Sequence, residues 1–446
     1  MTDAPIAAII LAAGKGTRMK SALHKVLHPV AGRPMLGHLL DAVNGLGVRD
    51  TVVVTGAERA QVEEFVAPLG VKLAVQDPQL GTAHAVLQAR GALSGFDGDV
   101  LILYGDVPLV SGATMGRMIA RLHEPDAPAV VVLGFRPEAM LSYGRIVAEH
   151  GRIAKMVEHK DASEAERAVT LCNSGLMAVR AADLWPLLDR VGNDNAAGEH
   201  YLPDIVMLAL ADDRHAAVIE TDPAEVAGVN SRAELAAVEA QWQAERRRRA
   251  MADGATLTAP ETVWFAWDTE IGRDVTIGAN VVFGPGVSIA EDVTIHAFSH
   301  VEGARVERGA VVGPFTRLRP GAEVGEGAHV GNFVELKKTR LGAGAKANHL
   351  TYLGDAEVGA GSNIGAGTIT CNYDGYGKHP TRIGEGAFIG SNSALVAPVT
   401  IGDGAMIAAG SVVTRDVAAD ALGIARAAQQ EKPGWAARFR ARFKRD

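Results

Sequence analysis

The sequence predicts an α/β domain followed by a parallel β-helix, with one long helix joining them. Three observations carry that expectation. Short β-branched runs alternate with helical patterns over the first half, the pattern of a mostly parallel sheet covered on both faces. An aliphatic residue recurs every six positions over much of the second half, the period of a hexapeptide β-helix. Glycine numbers 51 in 446 residues, and its excess falls after residue 270. A chain of this length already argues for more than one domain.

Residues 6–11 (IAAIIL) read as a buried strand by length and β-branching, and a glycine-rich turn follows. VVVT at 52–55, LAVQ at 73–76, VLILYGD at 100–106 and AVVVLGF at 129–135 continue the pattern, with helical stretches such as residues 81–92 between them. Sheets of this kind bind ligands at the carboxyl ends of their strands. Residues 232–251 read as one helix, rich in Ala, Glu, Gln and Arg, with no turn signal until Asp253-Gly254. The expected organisation is an α/β domain over 1–232, a semi-rigid helical linker over 233–253 and a β-helix over 254–446.

The repeat runs through Ile271, Ile277, Phe283, Ile289, Ile295 and Val301. After a step of five it resumes at Val306, Val312, Leu318, Val324, Val330 and Leu336. A second step of five gives Leu341, Ala347 and Leu353, and the series ends at Ile383, Ile389, Leu395, Ile401, Ile407 and Val413. Six residues per side and three sides per coil place each aliphatic residue inward, stacked on its equivalents. Small residues and glycine let the corners turn. A glycine-rich linker would not keep so regular a period. Residues 371–380 do not fit a hexad, and a solenoid tolerates insertions only at corners, so an extruded loop is expected there.

A formal charge of −8 disfavours nucleic acid as the main partner. Two basic runs stand against it, Arg246 to Arg249 and the tail from Arg438 to Arg445. The first reads as a solvated helix face; the tail reads equally as a contact for the phosphates of a small ligand. Two cysteines, Cys172 and Cys371, give no disulfide framework. The start, Met1-Thr2-Asp3, lacks a basic n-region, and the apolar stretch after it is too short to span a bilayer. The expectation is a cytoplasmic protein without membrane partners.

Residues 11–19 read Leu-Ala-Ala-Gly-Lys-Gly-Thr-Arg-Met, with Lys25 beyond. No G-K-[ST] closes a Walker loop, and Met19 occupies the third glycine position of a dinucleotide fingerprint. A strand feeding such a turn still lets backbone N–H groups approach phosphates, with Arg18 and Lys25 supplying cations. A tight βα turn with two solvated cations accounts for the same residues. Asp106 places a carboxylate past the end of a central strand, where nucleotidyl transfer would need Mg²⁺. A turn aspartate is the plain alternative. In the repeat, His349 is an odd choice for a solenoid corner. Arg319 and Lys337 lie 30 and 12 residues upstream, within reach on stacked coils, and Glu335 is near enough in the repeat to orient an imidazole.

Taken together, residues 11–19, Lys25, Gln76, Gly81-Thr82, Tyr104-Gly105-Asp106, Gly144, Glu158, Asn173 and Asn230 resemble the sugar-1-phosphate nucleotidyltransferases. Val157-Glu158-His159-Lys160-Asp161, Asn173-Ser174-Gly175 and Gly228-Val229-Asn230 fall in that family's order. His24 departs from it, standing where the family usually has Pro. The phrases Gly331-Asn332-Phe333-Val334-Glu335, residues 349–355 and residues 365–375 resemble the hexapeptide acetyltransferases joined to such domains. The resemblance covers essentially the whole chain. It implies a Rossmann-like nucleotidyltransferase domain, a left-handed β-helix, a homotrimer and the synthesis of UDP-N-acetylglucosamine in two reactions.

By that resemblance, Leu11, Ala12, Ala13, Gly14, Gln76, Gly81, Thr82, Tyr104 and Gly105 belong to the uridine nucleotide site. Gly144, Glu158 and Asn173 would hold the sugar, and Asp106 and Asn230 Mg²⁺. Arg18 and Lys25 would stabilise the departing pyrophosphate. On the β-helix, His349 would be the base for acetyl transfer from acetyl-CoA, with Glu335 beside it. Arg319 and Lys337 would clamp the phosphate of glucosamine-1-phosphate, and Tyr352 and Asn363 its sugar. Ala366, Asn372, Tyr373, Ser391, Ala409 and Arg426 would contact acetyl-CoA. Two rival readings are a pyrophosphorylase with a purely structural β-helix and a degenerate exchange-factor scaffold. The His349 and Asn372-Tyr373 phrases count against the first, and the intact Gly14-Lys15-Gly16-Thr17-Arg18, Lys25 and Asp106 set against the second.

Overall fold

The computed structural model describes residues 4–56, 58–138 and 143–443. Residues 1–3 and the last three, including two residues of the basic tail, lie outside that description. The chain divides into two compact units, Met1–Gln243 and Ala244–Asp446.

The first unit is built on a nine-stranded sheet. Its order is Lys72–Val75, Asp50–Thr55, Ile6–Ala12, Asp99–Tyr104, Cys172–Arg180, Val130–Phe135, Ala216–Thr221, Arg152–Val157 and Arg145–Glu149. Strand Ile6–Ala12 shows why the sheet is central. Successive side chains point to opposite faces, and both faces are covered. Ala7, Ile9 and Leu11 pack with residues of Thr82–Gln88, Ala181–Leu188 and Asp204–Ala211. Ala8, Ile10 and Ala12 pack with Met35–Gly45, Ala60–Val66 and Gly112–Leu122. The expected strands are present. The sheet is more mixed than the expected mostly parallel one, because Cys172–Arg180 runs antiparallel between Asp99–Tyr104 and Val130–Phe135. A strand buried on both faces has the same apolar pattern in either direction.

The second unit is a left-handed parallel β-helix. Ile277 pairs with Ile295, Leu318 with Leu336 and Ile383 with Ile401, each one coil away. The repeat residues from Ile277 to Val413 are buried inside, whereas Ile271, in the opening coil, is only half-buried. The residue two positions earlier is also buried and often small, as with Ala310, Thr316, Ser362 and Ser411. Val358 pairs with Ile383 across the extruded loop, which lengthens that coil. The loop is stiff. Asp374 accepts hydrogen bonds from the backbone N–H of Tyr376 (2.8 Å) and Gly377 (2.7 Å) and lies 2.7 Å from His379 Nε2. These contacts, the Gly377 N–H first, hold the Asp374 carboxyl far below the usual carboxylate range.

Helix Arg232–Ala252 runs through the division between the units. Its basic run is not simply a solvated face. The Arg246 guanidinium lies 5.0 Å from the Phe265 ring centre and donates to the Thr269 carbonyl at 2.7 Å. Arg247 donates to the Val263 carbonyl at 3.2 Å. Only Arg248 and Arg249 are largely exposed. A 3.6-residue period sends four consecutive residues to different sides of the helix. The basic tail is helical over Trp435–Phe443, with Trp435 stacked on Phe439 and Phe443 tilted against it along one stripe.

Candidate active sites

The first site forms where strands Ile6–Ala12 and Asp99–Tyr104 end side by side. Beyond them the Gly105 N–H still donates to the Leu11 carbonyl at 2.9 Å. Gly16 turns the chain with φ 59°, and a Cβ there would lie 2.6 Å from Lys25 Cβ. Glycine therefore lets the lysine fold back over the turn. His24 has φ −57°, the angle proline would impose. Its N–H donates to Gln61 Oε1 at 2.8 Å, a bond proline lacks. The histidine thus keeps the lysine turn and ties it to a neighbouring helix. Burial pushes the His24 imidazole below its ordinary value.

Lys25 Nζ forms an ion pair with Asp106 Oδ2 and lies 3.2 Å from Asn230 Oδ1. Asn230 is brought there by backbone: the Val229 N–H donates to the Asp106 carbonyl at 2.9 Å, and the Asn230 N–H to Glu234 at 2.8 Å. A carboxylate and a carboxamide oxygen thus converge on one ammonium. Hard oxygen donors of this kind, few in number and open to phosphates, fit Mg²⁺. Among the described residues no group of three or more His, Cys, Asp or Glu is placed to hold a metal.

A cavity of about 370 Å³ opens beside these groups. Leu11, Ala12, Ala13, Gly14, Lys25, Gln76, Gly81, Thr82, Tyr104 and Asp106 all line it. Gln76 donates from Nε2 to the Gly81 carbonyl at 2.8 Å, and Thr82 Oγ1 accepts from the Leu202 N–H at 2.9 Å. Four lining residues, Val26, Gln79, Ala85 and Glu199, were absent from the sequence reading. Gln79 bonds the Ala13 carbonyl, and its spacing of three from Gln76 was the available signal. Gly105 lies against Leu11 and Val26, and Arg18 is exposed on the turn.

Gly144, Glu158 and Asn173 form a neighbouring group. The Asn173 N–H donates to the Gly144 carbonyl at 2.9 Å, and Gly144 lies against the Glu158 carboxylate. Burial raises the Glu158 carboxyl above its ordinary value, and Asp204 and Asp161 add to the shift. Tyr104 links this group to the cavity: burial pushes its phenol up, with Glu158 and Asp106 adding.

The second site lies on the β-helix. His349 ends strand Lys346–His349, and Leu350 turns the corner with φ 51°. Register stacks His349 on Asn332. The coils above bring Ala366, Ser391 and Ala409 to the same corner, since Ile364 pairs with Ile389 and Ile389 with Ile407. The expected imidazole partner was Glu335, and here the structure differs. His349 Nδ1 lies 2.7 Å from Asn332 Oδ1. Glu335 stands round the corner, stacked beneath Tyr352, and accepts from Arg319 Nη1 at 2.8 Å.

Arg319, Lys337 and Tyr352 gather beyond that corner, and Lys378 of the extruded loop joins them. The Lys378 ammonium beside it holds Lys337 below the ordinary lysine range; slight burial and Arg319 add, while Asp355 opposes. Three cations in one place are chemically suited to an anion such as a phosphate. Lys378 was not in the sequence reading. Asn372 donates to Asp355 at 2.5 Å, and its amide lies close to the Tyr352 hydroxyl around Gly354. Tyr373 is exposed on the loop, its hydroxyl donating to the Gly375 carbonyl at 2.6 Å. Asn363 is not brought to this group: it stacks on Lys346, on the face before the His349 corner. Arg426 is exposed beyond the last coil.

The fold and the two sites define a nucleotidyltransferase joined to a hexapeptide-repeat transferase. The family model of the MobA-like NTP transferase domain matches residues 8–253, and that of the bacterial transferase hexapeptide (six repeats) matches 268–303 and 380–415. The chain belongs to the family of the bifunctional GlmU proteins. A relative of that name from Rhizorhabdus wittichii is 68% identical over 445 residues, covering 100% of this chain and 98% of the relative. One from Sphingopyxis alaskensis is 67% identical over 98% of this chain and 96% of its own length. One from Zymomonas mobilis is 60% identical, with 99% of both chains covered. Among the described residues no helix is long and apolar enough to cross a membrane.

Proposed function

We propose that this chain makes UDP-N-acetylglucosamine in two steps, acetylating glucosamine-1-phosphate on the β-helix and uridylylating the product in the N-terminal cavity. The observation that carries the reading is one chain holding two separate constellations, Lys25–Asp106–Asn230 at the sheet and His349 at a prism corner.

In the first reaction the substrate ammonium releases one proton to solvent, which leaves a neutral amine. Its nitrogen bonds to the thioester carbonyl carbon while His349 takes the second proton from that nitrogen. The C–S bond then breaks, and the leaving thiolate receives this proton from the imidazolium. Arg319, Lys337 and Lys378 hold the sugar phosphate, and Tyr352 the sugar. Acetyl-CoA lies along Ala366, Ser391 and Ala409, with Asn372, Tyr373 and Arg426 contacting it. Asn363 serves the sugar from a second copy, because in one chain it faces away from Tyr352. This division supports a homotrimer through the β-helix.

In the second reaction an oxygen of N-acetylglucosamine-1-phosphate attacks the α-phosphorus of UTP. The bond to the β-phosphate breaks and pyrophosphate leaves. Leu11, Ala12, Ala13 and Gly14 present backbone to the nucleotide, with Gln76, Gly81, Thr82, Tyr104 and Gly105 completing its pocket. Gly144, Glu158 and Asn173 hold the sugar. Arg18 and Lys25 stabilise charge moving onto the leaving group. Asp106 and Asn230 would hold Mg²⁺, which would neutralise triphosphate charge. The setting is cytoplasmic, where these substrates are small soluble molecules.

The test supplies glucosamine-1-phosphate, acetyl-CoA, UTP and Mg²⁺ and follows free thiol and pyrophosphate together. Both products should appear, and thiol release should survive omission of UTP. Pyrophosphate only when N-acetylglucosamine-1-phosphate is supplied, with no thiol, would reduce the β-helix to a scaffold.

A further inference from the structure

We infer that Asn332 is the positioning residue of the acetyl-transfer site, holding the His349 imidazole in the tautomer that leaves Nε2 free to accept a proton. The inference rests on the reading of His349 as the base. Asn332 and His349 are paired residues of neighbouring coils, so their side chains leave the same corner one above the other. Asn332 Oδ1 lies 2.7 Å from His349 Nδ1. A carboxamide oxygen only accepts hydrogen bonds. Nδ1 is therefore the protonated nitrogen, and the lone pair resides on Nε2. Without that acceptor, the ring would distribute between two tautomers, one of them useless as a base through Nε2.

The acceptor is neutral, and this distinguishes the arrangement from a carboxylate-backed histidine. A carboxylate fixes the tautomer and also stabilises the imidazolium by charge. Asn332 does only the first, so the proton taken from the amine is readily returned to the departing thiolate. Glu335, the carboxylate closest in the repeat, is committed to Arg319 round the corner. The other titratable groups bordering the adjoining cavity of about 370 Å³ are His296 and His329. Lys346 lies on the histidine's own strand. The coil above presents Gly365, Ala366 and Gly367, which carry no charge.

The experiment measures thiol release against pH for the wild-type protein, Asn332→Ala and Asn332→Asp. Asn332→Ala should lower kcat by about 10- to 100-fold while KM for glucosamine-1-phosphate stays within about two-fold. Asn332→Asp keeps the acceptor in place and adds a charge beside the ring. It should retain activity and move the acidic limb of the pH profile upward by about one unit. A merely structural asparagine would move neither the limb nor kcat alone. Wild-type kcat in Asn332→Ala, or an unmoved limb in Asn332→Asp, would overturn the inference. A wild-type protein that releases no thiol would instead overturn the acetyl-transfer reading on which it rests.

Discussion

In the N-terminal unit the proposed reacting groups come from distant parts of the chain and meet beside one cavity. Lys25 reaches Asp106 across 81 residues of sequence and Asn230 across 205. In the C-terminal unit they come from successive coils, with His349 above Asn332 only 17 residues away. A doubly covered sheet gathers the carboxyl ends of its parallel strands at one edge, so groups from distant parts of a single chain meet there. A solenoid joins each coil only to its neighbours. Its functional groups are strung over corners and faces, and Asn363 is left on the far side of the corner from Tyr352. On the proposed reading, the same chain carries one self-contained site and one that a second copy would complete.

The strongest way to break that comparison is to disable each site alone. His349→Ala should cut thiol release by about 10³-fold and leave pyrophosphate release from supplied N-acetylglucosamine-1-phosphate untouched. Asp106→Asn should do the reverse, by about 10²- to 10³-fold, as read by pyrophosphate production from N-acetylglucosamine-1-phosphate. Coupled losses in either variant would contradict two independent sites. A smaller effect sharpens the anion site. Lys378→Ala should raise KM for glucosamine-1-phosphate about tenfold with kcat nearly unchanged. A normal KM in steady-state thiol assays would remove the loop lysine from the phosphate clamp. The smallest effect tests the division itself. Chains bearing His349→Ala and Asn363→Ala, refolded together, should release thiol faster than the average of the two parents. A mixed preparation that only averages them would mean that each prism builds its site alone.

Much of this was legible in advance, for physical reasons that differ by region. The hexad is visible because a solenoid must bury one residue per side, so Ile277, Ile295 and Leu318 follow from counting. The turn after Ile6–Ala12 was visible because glycines mark where the backbone approaches Lys25. Asn332 was countable too: one short coil of 17 residues below His349 leads to it, but only if the five-residue steps are honoured. Lys378 was not countable, because a loop outside the repeat has no register. The direction of Cys172–Arg180 was hidden for another reason. A strand covered on both faces advertises burial and nothing about orientation. Arg246 shows the opposite error. Four consecutive arginines look solvated in sequence, yet one stacks on Phe265.

The column above His349 has a further consequence. Ala366, Ser391 and Ala409 repeat the histidine's corner once per coil, and coils succeed one another at the spacing of hydrogen-bonded strands, about 4.8 Å. Three steps make a graduated edge about 14 Å long. A thioester laid against it, as proposed, would be measured by coil number, so that its reach toward His349 would be set by counting and not by any single contact. Splicing in one extra coil above His349 would lengthen the scale by one division, carrying the far anchor of the acyl donor away from the nitrogen it must reach.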